Sequence, residues 1–148
     1  MFDTIDRYEA FICEFEACKL PRARWTHAAH LAVGFWYLWH HPPGEALRLV
    51  RERIRLHNEG VGTANTDNGG YHETITRAYL HGIAEHRSRH RDMPPLDALL
   101  LVQSSPLGQS DWLLQYYSRD RLFSVAARRG WLEPDLQPLP GNVDFQLR

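Results

Sequence analysis

Two histidines three residues apart are the first feature of this sequence that could do chemistry. His27 and His30 fall in the first turn of a predicted helix, where this spacing places both imidazoles on one face, roughly 60° apart. Such a pair can supply two ligands to one metal ion. The partial positive charge of a helix N-terminus also favours neutral imidazole, which is the form that binds metal. The alternative is a capping turn in which both rings bond to backbone or water.

A third histidine follows a loop rich in glycine and asparagine, in the stretch NTDNGGYHETITRAYL that spans residues 65–80. His72 begins a predicted helix and faces its apolar side, so we expect it to be the third ligand beside His27 and His30. Three histidines leave one position open for water or substrate, as catalytic zinc sites require. The expected cofactor is a divalent metal ion, zinc or iron(II). The alternative is an interfacial histidine whose hydrogen bonds are made within the protein.

The neighbours of His72 are the candidates for acid–base work. Tyr71, Glu73 and Arg77 are predicted to be catalytic groups that orient substrate or move protons beside the metal. The pattern is not that of the H-E-x-x-H zinc proteases, because Thr76 stands where their second histidine would be. A surface pair of Glu73 with Arg77, at favourable i, i+4 spacing, is favoured over ligation of the metal by Glu73.

Aromatic side chains and one more histidine complete the set of candidate site residues. Trp25, Trp36 and Tyr79 are predicted to line the apolar part of a pocket. His57 lies on the apolar stripe of another predicted helix. A histidine in the core is the default interpretation there, and a fourth ligand or a supporting contact to the metal site is the alternative.

Several familiar chemistries lack their signature in this chain. No E-x-x-H is present, which excludes the carboxylate di-iron bundles, and neither a Walker loop nor a G-x-S-x-G elbow occurs. Cys13 and Cys18 are five residues apart, a spacing that turns them about 140° from each other around a helix. They match neither a C-x-x-C motif nor a disulfide, and reduced thiols are typical of the cytoplasm.

The elements that must position these residues are predicted to be helices alone. Period-2 alternation of apolar residues is missing, whereas the 3.6-residue period recurs along the chain. The predicted helices run from near Asp3 to before Pro21, from the cap Thr26 to Pro42, from Pro43, from near Tyr71, over Leu96–Val102, from Pro106 through Tyr117 and over 124–131. A proline-rich tail follows, either wrapped around the body or frayed. We therefore predict one all-α domain, 1–148, a compact bundle of about five to seven helices with an irregular C-terminal tail.

Composition limits the partners and the location. Apolar residues at 43% and charged residues at 24% are ordinary for a globular protein, and a net charge of -1 gives no general attraction to nucleic acid or to anionic membranes. The N-terminus lacks the pattern of a signal peptide, and the longest apolar run, Leu31–Trp39, is too short to span a bilayer. We expect a cytoplasmic protein. Its five tryptophans fit a well-filled core or the surface of a homodimer equally well.

Three motifs resemble those of a family of small uncharacterised bacterial proteins. They are RWTHAAHLAVGFWYL, then GGYHETITRAYL, then YYSRDRLFSVAARRGWLEPDLQPLP, and together they extend from Trp25 to Pro140. The resemblance implies that the family's marked positions fall here on its histidines, tyrosines, threonines, serine and arginine: His27, His30, Tyr71, His72, Thr74, Thr76, Tyr117, Ser118 and Arg128. It implies a shared histidine site but no particular reaction.

Two functional hypotheses from different classes follow. The first is a metal-dependent enzyme that acts on a small molecule, with zinc or iron on His27, His30 and His72 between the second and fourth helices. The second is a non-enzymatic helical domain that binds a small molecule or a protein, in which the same histidines are structural. About one metal ion per chain would favour the first hypothesis.

Overall fold

Short-range signals explain where the helices of this chain begin. The structure, a computed structural model, describes residues 2–147. Thr26 caps the second helix by accepting a hydrogen bond from the backbone N–H of Ala29, and Pro43 occupies the first turn of the third helix, as predicted. His72 caps the fourth helix, because its side chain accepts a hydrogen bond from the backbone N–H of Ile75.

Residues 2–147 form seven α-helices and three short 3-10 helices, with no β-strand among them, so the all-α prediction is confirmed. The α-helices are α1 Ile5–Glu16, α2 His27–His40, α3 Pro43–Gly60, α4 Glu73–Ser88, α5 Pro95–Ser104, α6 Arg119–Leu122 and α7 Val125–Arg129. The 3-10 helices are Arg22–Arg24, Pro106–Gly108 and Trp112–Gln115. None of these helices is long and apolar enough to cross a membrane.

The centre of the bundle is α2, which packs against α3, α4 and α5. Most of its side chains are buried, because neighbours surround it on nearly every side. Gly34 lets α4 approach closely, since a Cβ atom there would lie 3.1 Å from Leu80 Cδ2 and 3.2 Å from Ile83 Cδ1. All five tryptophans lie in the core or against it: Trp112 is buried, while Trp25, Trp36, Trp39 and Trp131 pack on its edge.

The segment after α5 differs from its prediction. One helix was expected from Pro106 through Tyr117, but the chain forms two 3-10 helices there instead. At Gly108, where they are interrupted, the backbone passes so close to the carbonyl of Gln103 that any Cβ atom would clash with it. The last predicted helix, 124–131, is shorter in the structure, and α6 was not predicted at all because it is a single turn capped by Ser118.

The proline-rich tail is ordered over its described length and packs along α4 and the 3-10 helices. Leu136 donates its backbone N–H to the carbonyl of Tyr116, and Nε2 of His81 lies 2.8 Å from the carbonyl of Pro140. Leu139 and Phe145 pack against the core. Of the two alternatives open from the sequence, the wrapped tail is therefore the one found.

Candidate functional site

His27 and His30 lie as predicted in the first turn of α2, and each ties one ring nitrogen to a backbone carbonyl. Nε2 of His27 is 2.9 Å from the carbonyl of Leu107, and Nδ1 of His30 is 2.7 Å from the carbonyl of Thr26. A carbonyl oxygen can only accept, so each of these nitrogens carries the proton. In the neutral rings, Nδ1 of His27 and Nε2 of His30 therefore keep a lone pair for a ligand.

The His30 ring stacks on Trp25, with ring centroids 3.7 Å apart and the ring planes inclined by 29°. Crowding by surrounding protein lowers the pKa of His30, and the nearby rings of His27 and His57 lower it further, while the bond to Thr26 opposes them. The side chain itself stays exposed to solvent, which weakens the desolvation that lowers this pKa. The pKa still lies below its ordinary value of 6.5, so His30 is neutral at pH 7.

Both histidines line a cavity of about 90 Å³ between α2, α3 and α4. Its walls are mostly aliphatic, from Leu31, Gly34, Val50, Ile54, Ile75, Leu80 and Ile83. Its polar lining consists of the two histidines together with Thr76 and Tyr79. The Tyr79 hydroxyl donates to the carbonyl of Gln109, and its ring meets His27 edge-on at 4.9 Å. The cavity therefore combines an apolar volume with few polar groups, a usual composition for a small-molecule site.

His72 does not join this pair. Its Nδ1 accepts the backbone N–H of Ile75 at 3.1 Å, and its Nε2 lies 2.7 Å from the carbonyl of Leu122. Both ring nitrogens are thus used inside the protein, with none left to ligate a metal. Nowhere in residues 2–147 do three His, Cys, Asp or Glu side chains come together in a group that could hold a metal ion. The expected three-histidine centre is not assembled.

Glu73 is paired with a different arginine from the predicted one. Arg51 of α3 binds its carboxylate through both Nε and Nη2, at 2.8 and 2.6 Å, and Tyr71 Oη donates to the same group at 2.7 Å. Burial alone would raise the pKa of Glu73, but the hydrogen bonds from Arg51 and Tyr71 outweigh it and lower the pKa. Glu73 is therefore a buried, ionised group that joins α3 to α4. The predicted surface pair with Arg77 is wrong.

The three predicted catalytic residues fall in two places. Tyr71 and Glu73 lie together, because the Tyr71 hydroxyl donates to the Glu73 carboxylate at 2.7 Å. Burial raises the pKa of the Tyr71 phenol, and the negative charge of Glu73 raises it further. Thr76, one turn along α4, lines the cavity. Arg77 instead lies between the rings of Trp131 and Phe145, beside the tail.

Sequence reasoning found the histidine pair but missed part of its surroundings. Of the aromatic residues predicted to line a pocket, Tyr79 does so, Trp25 supports His30 from outside, and Trp36 packs on Tyr8 elsewhere. Thr76 was named as the residue that breaks a protease motif and as a position marked by the family resemblance, but it was not predicted to line the pocket. The signal that could have found it is its i, i+3 spacing to Tyr79 on the same face of α4.

Comparison of the chain with protein-family models, with curated proteins and with solved structures gave no match. The resemblance to the small bacterial family therefore stays a prediction from its motifs.

Proposed function

We propose that this protein binds a small, mainly apolar molecule in the cavity between α2, α3 and α4. Nε2 of His30 would accept a hydrogen bond from a donor group of the ligand. The observation that carries this proposal is the bond from Nδ1 of His30 to the carbonyl of Thr26, which keeps the opposite nitrogen unprotonated in the neutral ring.

The size of the cavity supports a ligand of few atoms. An apolar cavity of about 150 Å³ holds one benzene molecule, and this cavity, at about 90 Å³, is smaller. We therefore expect an occupant of about two to four heavy atoms, such as a short alcohol, thiol or amide. An enzymatic use of the site would employ the same nitrogen of His30 as a general base, since its lowered pKa keeps it neutral at pH 7.

Two probes of nearly equal size test the proposal. 2-Propanol has a hydroxyl donor, whereas acetone has the same carbon skeleton and no donor. With ¹⁵N-labelled histidine, we expect 2-propanol to shift the Nε2 resonance of His30 with millimolar affinity, and acetone to bind several-fold more weakly. Equal binding of both probes, or binding of neither, would contradict the proposal.

A matched pair of variants places the binding on His30. His30→Phe keeps a ring against Trp25 but removes the acceptor. His40→Phe is the control, because His40 also packs against a tryptophan, Trp36, with ring centroids 4.5 Å apart, outside the cavity lining. We expect His30→Phe to remove the preference for 2-propanol over acetone, and His40→Phe to leave it unchanged.

A metal-dependent reaction is a second candidate function, favoured by one specific observation. Histidines that ligate metals almost always donate their other ring N–H to a carbonyl or carboxylate. His27 and His30 both donate in this way, to Leu107 and Thr26. Zinc or iron(II) on their remaining nitrogens would need water or substrate to complete its coordination, and bound water would become more acidic.

Metal analysis separates this candidate from the first. Protein prepared without an affinity tag would be loaded with zinc, or with iron(II) under anaerobic conditions, and then dialysed. About one metal per chain that is lost in His27→Gln and His30→Gln but kept in His72→Asn would support a two-histidine site. No retained metal would leave the cavity as a site for organic ligands alone.

A further inference from the structure

Arg77 has an unusual environment for an arginine on a helix of this bundle. Its guanidinium lies over the ring of Trp131 at 4.4 Å from the centroid and over the ring of Phe145 at 5.0 Å. The two rings belong to the tail and fix the plane of the guanidinium. None of the ion pairs within residues 2–147 includes Arg77, and its Nε is buried without a hydrogen-bond partner among them.

This arginine lines a cleft of about 500 Å³ between α4 and the tail, separate from the histidine cavity. The cleft is also lined by the carboxylates of Glu133 and Asp144 and by the rings of Trp131 and Phe145. The indole Nε1 of Trp131 donates to Oε1 of Glu133 at 3.0 Å and so holds that carboxylate in position. Oε2 of Glu133 accepts no hydrogen bond within the described chain.

We propose that this cleft binds a small zwitterion, with the carboxylate of the ligand on Arg77 and its ammonium group on Glu133. Arg77 and Glu133 line the same cleft, yet they form no ion pair with each other within 4.0 Å. A ligand that carries both charges satisfies both groups at once. Its planar carboxylate suits the fork of donors that a guanidinium presents.

The charges in the cleft disfavour simpler ligands. A plain anion that approached Arg77 would also meet the negative charge of Glu133. A plain cation would meet the positive charge of Arg77, which already covers the faces of the two aromatic rings. The cleft is also larger than a single small ion needs, and its volume suits a molecule the size of an amino acid.

A panel of short compounds tests the proposal with the full chain. Glycine, β-alanine and γ-aminobutyrate carry the two charges at increasing separation, and acetate, propionate, butyrate and the corresponding primary amines carry one charge each. Titrations followed by the NMR signals of the Trp131 indole and of Phe145 report on the cleft. We expect at least one amino acid to bind tenfold or more tightly than its single-charge counterparts. Equal binding of carboxylate and amino acid, or no binding at all, would overturn the proposal.

Variants distinguish ligand binding from a purely structural role in docking the tail. Glu133→Gln keeps an acceptor for the Trp131 indole while it removes the negative charge. We therefore expect this variant to bind the amino acid at least fivefold more weakly and to bind propionate as tightly as the parent or more tightly. Arg77→Gln should abolish binding. Arg87→Gln is its control, because Arg87 also lies on α4 over a tryptophan ring, Trp39, at 4.5 Å, outside this cleft.

Arg77→Gln also loosens the contact between α4 and the tail. If the tail detaches in this variant, the result for Glu133→Gln decides whether the cleft binds the amino acid. A Glu133→Gln variant that binds the amino acid as tightly as the parent would overturn the proposal. An Arg87→Gln variant that loses binding to the same extent as Arg77→Gln would overturn it as well.

Discussion

At the scale of single residues, His72 shows how one imidazole can both cap a helix and join two distant segments of the chain. Nδ1 accepts a hydrogen bond from the backbone N–H of Ile75 in the first turn of α4, and the Nε2–H donates one to the carbonyl of Leu122. These two bonds require the neutral ring with its proton on Nε2. They join the start of α4 to the end of α6, which lies 50 residues further along the chain.

Substitution of His72 should therefore reduce stability and leave the histidine cavity intact. His72→Ala removes a helix cap, worth about 1 kcal/mol, and leaves a buried carbonyl unsatisfied at a cost of about 1–3 kcal/mol. His72→Asn restores an acceptor for the cap, so we expect it to be the less destabilising of the two. Urea unfolding measures the difference. Equal loss in both variants would show that capping by this side chain contributes nothing.

The buried histidines also predict a dependence of stability on pH. Burial lowers the pKa of His57 below 6.5, its bond to the carbonyl of Leu20 opposes this, and its Nδ1 is buried without a hydrogen-bond partner in the described chain. Burial lowers the pKa of His72 as well; Arg128 adds to the shift, while the bond to Leu122 and Glu73 oppose it. Below pH 6.5 the unfolded chain takes up protons that the folded rings resist, so stability that is present above this pH is lost as the pH falls.

Urea midpoints measured at pH 7.5, 6.0 and 5.0 check this second prediction. We expect the parent protein to become less stable at each step, and His72→Asn to lose less than the parent because asparagine does not titrate. If both proteins lost stability equally steeply as the pH fell, groups other than His72 would cause the acid sensitivity.

The local sequence alone could not show whether His72 ligates a metal or caps a helix. A histidine at the start of a helix after a glycine-rich loop looks the same in both roles, and the partner that decides between them, Leu122, is far away in sequence. The same limit applies to Glu73: the local choice, Arg77, has ideal spacing, whereas the actual partner, Arg51, approaches from α3. Thr26 and Pro43 were predictable because caps and first-turn prolines act within a few residues.

At the scale of helices, the contact between α2 and α4 sets the volume of the cavity. Gly34 faces Leu80 and Ile83, and all three residues line the cavity. A methyl group at position 34 would press on the flexible ends of these two side chains and push them towards the empty space. The gain in helix propensity from glycine to alanine, about 1 kcal/mol, offsets part of the cost.

We therefore predict that Gly34→Ala changes the free energy of unfolding by less than about 1 kcal/mol but weakens 2-propanol binding. Gly82→Ala is the comparison on α4. Its Cβ would lie 2.6 Å from Leu107 and 2.7 Å from the Trp112 ring, so we expect it to cost about 1–3 kcal/mol. Urea unfolding and the histidine NMR titration measure both variants. Unchanged 2-propanol affinity in Gly34→Ala would place the ligand elsewhere.

Prediction of helices from the sequence was reliable where periodicity was long and failed where the turns were short. The α3 helix carries its apolar stripe over 18 residues and was found with its start at Pro43. The region after α5 is also rich in apolar residues, but its helices are single turns whose ends depend on close packing, such as that of Gly108 on Gln103. Periodicity cannot register a contact of that kind.

At the scale of the whole molecule, the C-terminal tail completes the fold without secondary structure of its own. It contacts α4 at several points along its length, and the hydroxyl of Thr74 makes the first of these contacts. This hydroxyl donates to the carbonyl of Gly130 at 2.7 Å and accepts the N–H of Leu132 at 3.1 Å. These two bonds lie on either side of Trp131, whose ring packs against the guanidinium of Arg77 in the cleft between α4 and the tail.

Thr74→Val should therefore destabilise the protein and also disturb the cleft that Trp131 lines. Valine has the shape of threonine but leaves two backbone groups unpaired, and Thr74 is fully buried, so we expect a loss of about 2–3 kcal/mol. Thr74→Ser keeps the hydroxyl and should cost about 1 kcal/mol or less for the missing methyl. Urea unfolding, together with hydrogen exchange at the amide of Leu132, measures both effects. If the two variants were equally stable and equally protected at Leu132, the tail would be held by its aromatic contacts, and the hydroxyl would not anchor it.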